Sequence, residues 1–412
     1  MKPFLLLVCV VFASYAKAQS PASITIGKID SLTSSILNEK RKIWVYIPES
    51  AGGDVFAKPR YPVVYLLDGD AHFSSVVGMI EQLSQVNGNT VCPQMIVVGI
   101  PNTNRTRDLT PTHVENDPPF MGGEFAKPSG GGNAFLSFIE KELIPHIDSL
   151  YPTQPYRMLI GHSFGGLAVM NALISRPQVF NSYICIDPSM WYDRMNFLKT
   201  TEKALTQQKF AGKSLYLGIA NTMGDGMTLA KLPKDTSATN RHIRSIFELD
   251  RHIKSNSQNG LRYKSRYYPD DTHSSAPLIT EYDGLRFIFD SYSLKLSSKD
   301  FTDTTTALAD KYAAHYARLS KQMGYAISPS EGQINAFGYQ ALQGKHYRKA
   351  ESLFKLNIAN YPNSYNVYDS YGDFFMACND PKNAILQFQK ALSLKENPAS
   401  RQKLEALLKP KP

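Results

Sequence analysis

Between residues 62 and 219 the chain repeats one pattern, in which short, predominantly apolar runs alternate with stretches whose apolar residues recur at helical spacing. The runs are PVVYLL (62–67), MIVVGI (95–100), YRMLI (156–160), SYICI (182–186) and SLYLGI (214–219). Strands without polar alternation are buried on both faces, as in a parallel sheet covered by helices. The stretch from Phe135 to Leu150 supplies one such helix, with Phe135, Phe138, Ile139 and Leu143 on one face. Upstream the pattern differs: residues 19 to 60 alternate apolar and polar, most clearly in Lys42-Ile43-Trp44-Val45-Tyr46-Ile47, which predicts an exposed antiparallel strand. The expected architecture is α/β, with a mostly parallel central sheet covered on both sides.

Residues 101–133, PNTNRTRDLTPTHVENDPPFMGGEFAKPSGGGN, form a long polar loop after a strand. Ligands gather at the carboxyl ends of strands in open α/β sheets, so this loop is expected to wall a substrate site. Strand signals stop near residue 294. Beyond it, residues 34 apart match: Phe337 with Tyr371, Gly338 with Gly372, Leu342 with Met376, Ala350 with Ala384, and Phe354 with Phe388. Thirty-four is the tetratricopeptide period, and Pro362 and Pro398 punctuate the unit ends. The expected organisation is an α/β domain at 19–293, a helical linker at 294–328 and an all-α repeat domain at 329–412. Two units alone are too few for a stable stack, so Ala307–Gly324 and Ser400–Leu408 are expected to complete it.

The first residues add a destination. Lys2, the apolar run Phe4–Phe12 and Ala16-Lys17-Ala18 read as a signal peptide over residues 1–18, and an apolar run this short cannot cross a bilayer. Export to the periplasm or medium is expected, with no integral membrane segment after cleavage. Cys9 lies within the apolar run, which argues against lipid attachment. Cleavage leaves Cys92, Cys185 and Cys378, too few and too widely spaced for a disulfide framework or metal motif. The formal net charge of +9 comes from scattered basic residues with no basic stripe among aromatics, so nucleic acid is not an expected partner.

Chemistry concentrates at Gly161-His162-Ser163-Phe164-Gly165, wedged between the run YRMLI and the helix-like GGLAVMNALI. A serine in so sharp a strand-to-helix turn is strained, and its hydroxyl projects above the sheet. Ser163 is the candidate nucleophile. The Phe164 amide is a candidate oxyanion donor, helped by the helix N-terminus. A serine needs a base within hydrogen-bond reach, and the base is expected after the last strand. LRYKSRYYPDDTHSS supplies such a strand and then His273. Of the other histidines, His162 neighbours the serine but points elsewhere, His113 lies in the long loop, and His242 and His252 sit on a charged helix.

Two residues compete as the acid. Asp225 lies just beyond the strand 214–219. Asp250 lies on the apolar face of RHIRSIFELDRHIKS, with Ile243, Ile246, Phe247 and Ile253, where an unpaired carboxylate would be costly. Asp250 is narrowly favoured, and a Ser-His dyad stays open. A second oxyanion amide is expected from Asp70, after Leu67-Asp68-Gly69. Asp68 and Asp70 have no further ligand spacing around them, so neither metal nor cofactor is expected.

YLLDGD, NRTRDLTP, IGHSFGGL, DPSMWYD and DDTHSSAPLITEYDGLRFIF, over roughly residues 30–292, together resemble the esterase family of α/β hydrolases. That family includes siderophore (enterobactin) esterases, feruloyl and acetylxylan esterases, S-formylglutathione hydrolases and mycolyltransferases. The resemblance implies the α/β-hydrolase fold and oxyanion donation by the Asp70 and Phe164 amides. It supports Asp250 by similarity to mycolyltransferases and Asp225 by similarity to feruloyl esterases. DPSMWYD resembles a segment lining the acyl or leaving-group pocket, which makes Ser189 and Trp191 candidate substrate contacts. The nearest likeness is to siderophore-esterase-like hydrolases with a C-terminal tetratricopeptide extension.

The expected function is an exported serine hydrolase cleaving carboxylic esters, siderophore esters among them. Carbohydrate (acetyl or feruloyl) esters, acyl transfer, and a non-catalytic scaffold built on the helical repeats are the alternatives. The expected partners are a small-molecule or glycan ester and a protein bound by the repeats.

Overall fold

The computed structural model describes residues 23–49, 59–115 and 123–409. The expected signal peptide and the middle of the 101–133 loop lie outside the described residues. Eight strands form one sheet: β1 (Lys28–Ser34), β2 (Glu39–Tyr46), β3 (Tyr61–Leu67), β4 (Ile96–Ile100), β5 (Thr153–His162), β6 (Ser182–Ile186), β7 (Ser214–Ala220) and β8 (Arg262–Tyr268). Their order is β1-β2-β4-β3-β5-β6-β7-β8. The β1–β2 and β2–β4 pairs are antiparallel, and the others are parallel. The alternating N-terminal segment thus folds as the antiparallel margin its pattern predicts. At the other margin β8 is polar and half-exposed, and its charged side chains discourage pairing with another sheet.

Every residue of β3, β4 and β6 is buried. Successive side chains enter different layers, as the period of two requires: Val63, Tyr65 and Leu67 join one core, Val64 and Leu66 the other. The second core is closed by α1 (Gly69–Ser84). The first is closed in part by one long helical run, α3 (Gly132–Phe138), a π-helical turn (Ile139–Leu143) and α4 (Ile144–Leu150). Between α1 and α3, the segment read as one loop contains a short helix, α2 (Arg105–Leu109), capped by the Asn104 side chain on the Arg107 amide. What pins α2 is an ion-pair network: the buried Arg41 reaches Asp108 at 2.6 Å, and Arg107 bridges Asp108 and Glu39. Local sequence cannot reveal a helix held by strand β2.

The first core is completed by α5 (Phe164–Ser175), α6 (Asn196–Gln207) and α7 (Arg241–Ser255), and the second by α8 (Ala276–Ile288). An all-helical region follows: α9 (Ser298–Thr302), α10 (Ala307–Met323), α11 (Glu331–Gln343), α12 (Tyr347–Asn360), α13 (Tyr365–Ala377), α14 (Pro381–Leu394) and α15 (Pro398–Leu408). One contact recurs 34 residues apart. A Cβ on Gly338 would lie 2.7 Å from the Phe354 ring, and one on Gly372 would lie 2.5 Å from the Phe388 ring. Helix α10 belongs to two cores: Leu308, Ala309 and Tyr312 pack with Ile334 and Leu353, while Leu319 and Met323 join the α/β core beside Phe289.

Candidate active site

Strand β5 runs into α5 with no spare residue, and Ser163 at the junction has φ 61° and ψ −114°. Such a conformation persists only where its surroundings enforce it. The Ser163 amide donates to the Ile186 carbonyl at 3.0 Å, and its carbonyl accepts from the Leu167 and Ser189 amides. Glycine is required beside it, because a Cβ on Gly161 would lie 2.4 Å from the Gly165 carbonyl oxygen. Gly161→Ala should therefore force backbone apart from backbone, at a cost of about 1–3 kcal/mol, read as a lowered melting temperature. An unchanged melt would contradict that packing.

The Ser163 hydroxyl oxygen lies 3.3 Å from that of Ser189, itself buried after β6. The Trp191 ring faces Phe164 at 6.1 Å, and the Arg241 guanidinium lies over it at 5.9 Å. His273 follows β8, and its ring centroid is 4.5 Å from that of His162, the residue before the serine. The sheet thus brings Ser163, Ser189 and His273 to one carboxyl edge.

Neither expected acid reaches His273. Asp250 faces β8, where its carboxylate accepts from the Tyr263 hydroxyl at 2.7 Å and pairs with Lys254 at 2.8 Å. The buried helical stripe did demand a partner for Asp250, but a tyrosine and the lysine one turn along satisfy it. Asp225 is exposed in the turn after β7. His273 Nδ1 instead bonds Asp187 Oδ2 at 2.6 Å. Asp187 comes directly after β6, is fully buried and has φ 39°. Its amide donates to the Gly218 carbonyl, and its Oδ1 accepts from the Ala220 amide at 2.9 Å. A second imidazole shares the same oxygen, His242 Nε2 at 2.8 Å. Burial alone would raise the Asp187 carboxyl, but the bonds from His242 and His273 outweigh it and hold the group well below the usual carboxylate range. A usable signal existed: an aspartate ending a fully apolar strand, before a proline, must be buried and partnered.

The turn between β3 and α1 closes the other side. A Cβ on Gly165 would lie 3.1 Å from Asp68 Oδ2, so this turn sits against the start of α5. Asp68 has φ 51° and is the N-cap residue of α1, and Asp70 lies in the first turn of that helix. Arg105, from the loop after β4, grips Asp68 through two bonds of 2.7 and 2.9 Å and also reaches the His162 carbonyl. Asp68 is thus a structural counter-ion. Among the described residues, the His/Cys/Asp/Glu cluster with ion-holding geometry is Asp187, His242 and His273.

Two further histidines extend the row. His72 stacks edge-on to His162 at 5.8 Å, and His242 to His273 at 5.1 Å. Burial, then the neighbouring His273 and His72, depresses His162 to about 4, so it is neutral at pH 7. Behind His72 lies Glu281 of α8, fully buried, with Oε2 3.4 Å from the Ser75 hydroxyl. Burial pushes its carboxyl from 4.5 to about 8. The folded state then holds a proton that the unfolded state releases above 4.5, so stability falls as pH rises from about 4.5 to about 8. Glu281→Gln removes that slope. The variant should melt close to the parent at pH 5 and higher at pH 8, by a few kcal/mol in stability at about 1.4 kcal/mol per unit. Parallel pH profiles of the melting temperature would refute this.

The Esterase family model, described as "Putative esterase", matches residues 34–281. An IroE-like serine hydrolase from Shewanella oneidensis superposes with a TM-score of 0.66 at 30% identity, over 80% of this chain and 98% of that one. A protein of Capnocytophaga ochracea shares the fold over 92% of this chain and 99% of its own, with a TM-score of 0.61 at 19% identity. Ferri-bacillibactin esterase BesA of Bacillus subtilis is 30% identical over 45% of this chain and 67% of its own. For two fungal siderophore esterases the aligned share of their length is 50% and 55%, so the chain spans half to two thirds of these curated relatives. With an α/β-hydrolase sheet, a strained serine at its central turn and a family match over most of that domain, the chain belongs to the esterase family.

Proposed function

We propose that this protein is a serine esterase that cleaves carboxylic esters through an acyl-enzyme. The observation that carries this reading is the bond of 2.6 Å between buried Asp187 and His273, whose ring lies against the residue preceding Ser163. Asp187 fixes the His273 proton on Nδ1 and leaves Nε2 free to take the Ser163 proton. The Ser163 oxygen then bonds the ester carbonyl carbon, and the resulting oxyanion is held by the Phe164 and Asp70 amides at the starts of α5 and α1. His273 returns the proton to the departing alcohol as the C–O bond breaks. Water repeats the sequence on the acyl-enzyme and frees the acid. Ser189 and Trp191, beside Ser163, would contact the substrate, and Ser189 keeps the resting hydroxyl of Ser163 in place. Ionised Asp187 stabilises the imidazolium that forms in both halves. A fluorophosphonate probe tests this directly. It should form one adduct, mapped to the peptide carrying Ser163, and no adduct on folded protein would overturn the reading.

For the substrate we propose a siderophore ester, on the support of relatives named as ferri-bacillibactin, triacetylfusarinine C and enterobactin esterases. A panel of siderophore trilactones, acetylated sugars and feruloylated sugars should give its highest kcat/KM on a trilactone. Preference for a sugar ester would overturn the assignment. The charged start and apolar run of residues 1–18 support export to the periplasm or medium. The recurring glycine-on-phenylalanine contact supports reading α11–α14 as two tetratricopeptide units, whose concave side would take an extended peptide.

A further inference from the structure

We infer that Asp187, His242 and His273 form a site for one zinc-class divalent ion, and that the ion, when bound, switches the esterase off. This rests on the proposed triad but asks what the triad does not explain, the second imidazole on its carboxylate. Ser163 chemistry needs a single histidine on Asp187. His242, from α7, delivers Nε2 to the same oxygen from the other side.

Three donor atoms, Asp187 Oδ2, His242 Nε2 and His273 Nδ1, all lie within 4.8 Å of one another. Two imidazoles and one carboxylate suit zinc, copper and nickel rather than magnesium or calcium, which prefer oxygen ligands. The carboxylate is already oriented, since Oδ1 accepts from the Ala220 amide and leaves Oδ2 for the ion. Access exists, because the His273 and His242 side chains are 36% and 18% exposed. The nitrogens now sit 2.6 and 2.8 Å from Oδ2. Ligands about 2.0–2.1 Å from a tetrahedral ion stand about 3.3 Å apart, so the His273 ring backs off by about 0.7 Å and the His242 ring by about 0.5 Å.

Inhibition follows from proton placement. An ion on Nδ1 of His273 displaces the proton from that nitrogen, and the neutral ring then carries it on Nε2. That nitrogen becomes a donor and cannot accept the proton of Ser163. His242 likewise moves its proton from Nε2 to Nδ1, so no net proton is lost and no redox partner is needed. Acylation and ion binding exclude one another because both require the same imidazole.

The test uses Zn2+ on the full chain, with binding read by competition against a chromophoric chelator and activity read on a p-nitrophenyl ester. Wild type should bind one ion and lose hydrolysis in parallel with occupancy. His242→Gln should weaken Zn2+ binding by roughly 10- to 100-fold and raise the inhibitory Zn2+ concentration by the same factor. His252→Gln, which alters a histidine on the same helix that instead bonds the Glu202 carbonyl, should change neither. Circular dichroism melts verify that each variant is folded, and Asp187→Asn, which removes a different ligand, should also weaken binding. Undiminished binding in His242→Gln, or no stoichiometric site in wild type, overturns the inference. If wild type hydrolyses no ester, the chelator competition still reads the ligand set, and that failure falls on the esterase reading alone.

Discussion

Replacing Ser163 with alanine is expected to lower kcat/KM on a p-nitrophenyl ester by roughly four to six orders of magnitude, leaving only the catalysis that binding and the oxyanion donors provide. Stability should not follow. The hydroxyl makes one long contact, 3.3 Å to Ser189, and the turn is held by backbone bonds to Ile186, Leu167 and Ser189 that alanine retains. Alanine bears the same positive φ as serine, so the strain of the turn is unaltered. A stopped rate with an unchanged melt is the signature of a lost nucleophile. Turnover within ten-fold of wild type would remove Ser163 from the mechanism.

Asp187→Asn carries the second largest effect, about 10⁴-fold in kcat by the usual consequence of presenting the wrong histidine tautomer. The geometry leaves the amide no good orientation. The two oxygens of Asp187 accept from three donors: the Ala220 amide on Oδ1, and His242 and His273 on Oδ2. An NH2 at Oδ1 faces another N–H, and an NH2 at Oδ2 forces both imidazoles to turn their bare nitrogens inward. That second arrangement puts the His273 proton on Nε2, the nitrogen the proposed mechanism needs bare. Asp250→Asn and Asp225→Asn should stay within a few-fold of wild type, because one serves Tyr263 and Lys254 and the other is exposed at a turn. A comparison of kcat on one ester across the three variants decides the matter. A larger loss at Asp250 or Asp225 than at Asp187 would reverse it.

The contrast between these aspartates explains how far the sequence could be read. Continuous apolar runs gave the parallel strands, because burial on both faces is a property of each strand alone. The turn around Ser163 and the histidine beyond the last strand were legible for a similar reason, since both follow from chain order. Which carboxylate meets His273 depends on the register of β6 against β7, through Asp187 on Gly218 and Ala220, and no local period reports that. The apolar stripe of α7 rightly marked Asp250 as needing a partner but could not say that the partner was Tyr263 on the next strand. In sequence His242 sits on a charged helix, and only the approach of α7 to the end of β6 gives it a carboxylate. Helix α2 was hidden likewise, because the arginine that anchors it comes from β2.

Helix α10 is owned by both halves of the molecule, its first turns by the helical stack and its last by the α/β core. A rod rooted at both ends is a splint. Heat should dissolve the two halves in one transition, and ending the chain before residue 307 would strip Leu319 and Met323 from the α/β core as well as discard the stack. The helices packed on its first turns are therefore held at a set bearing from the sheet that carries Ser163, like a tool clamped beside its blade.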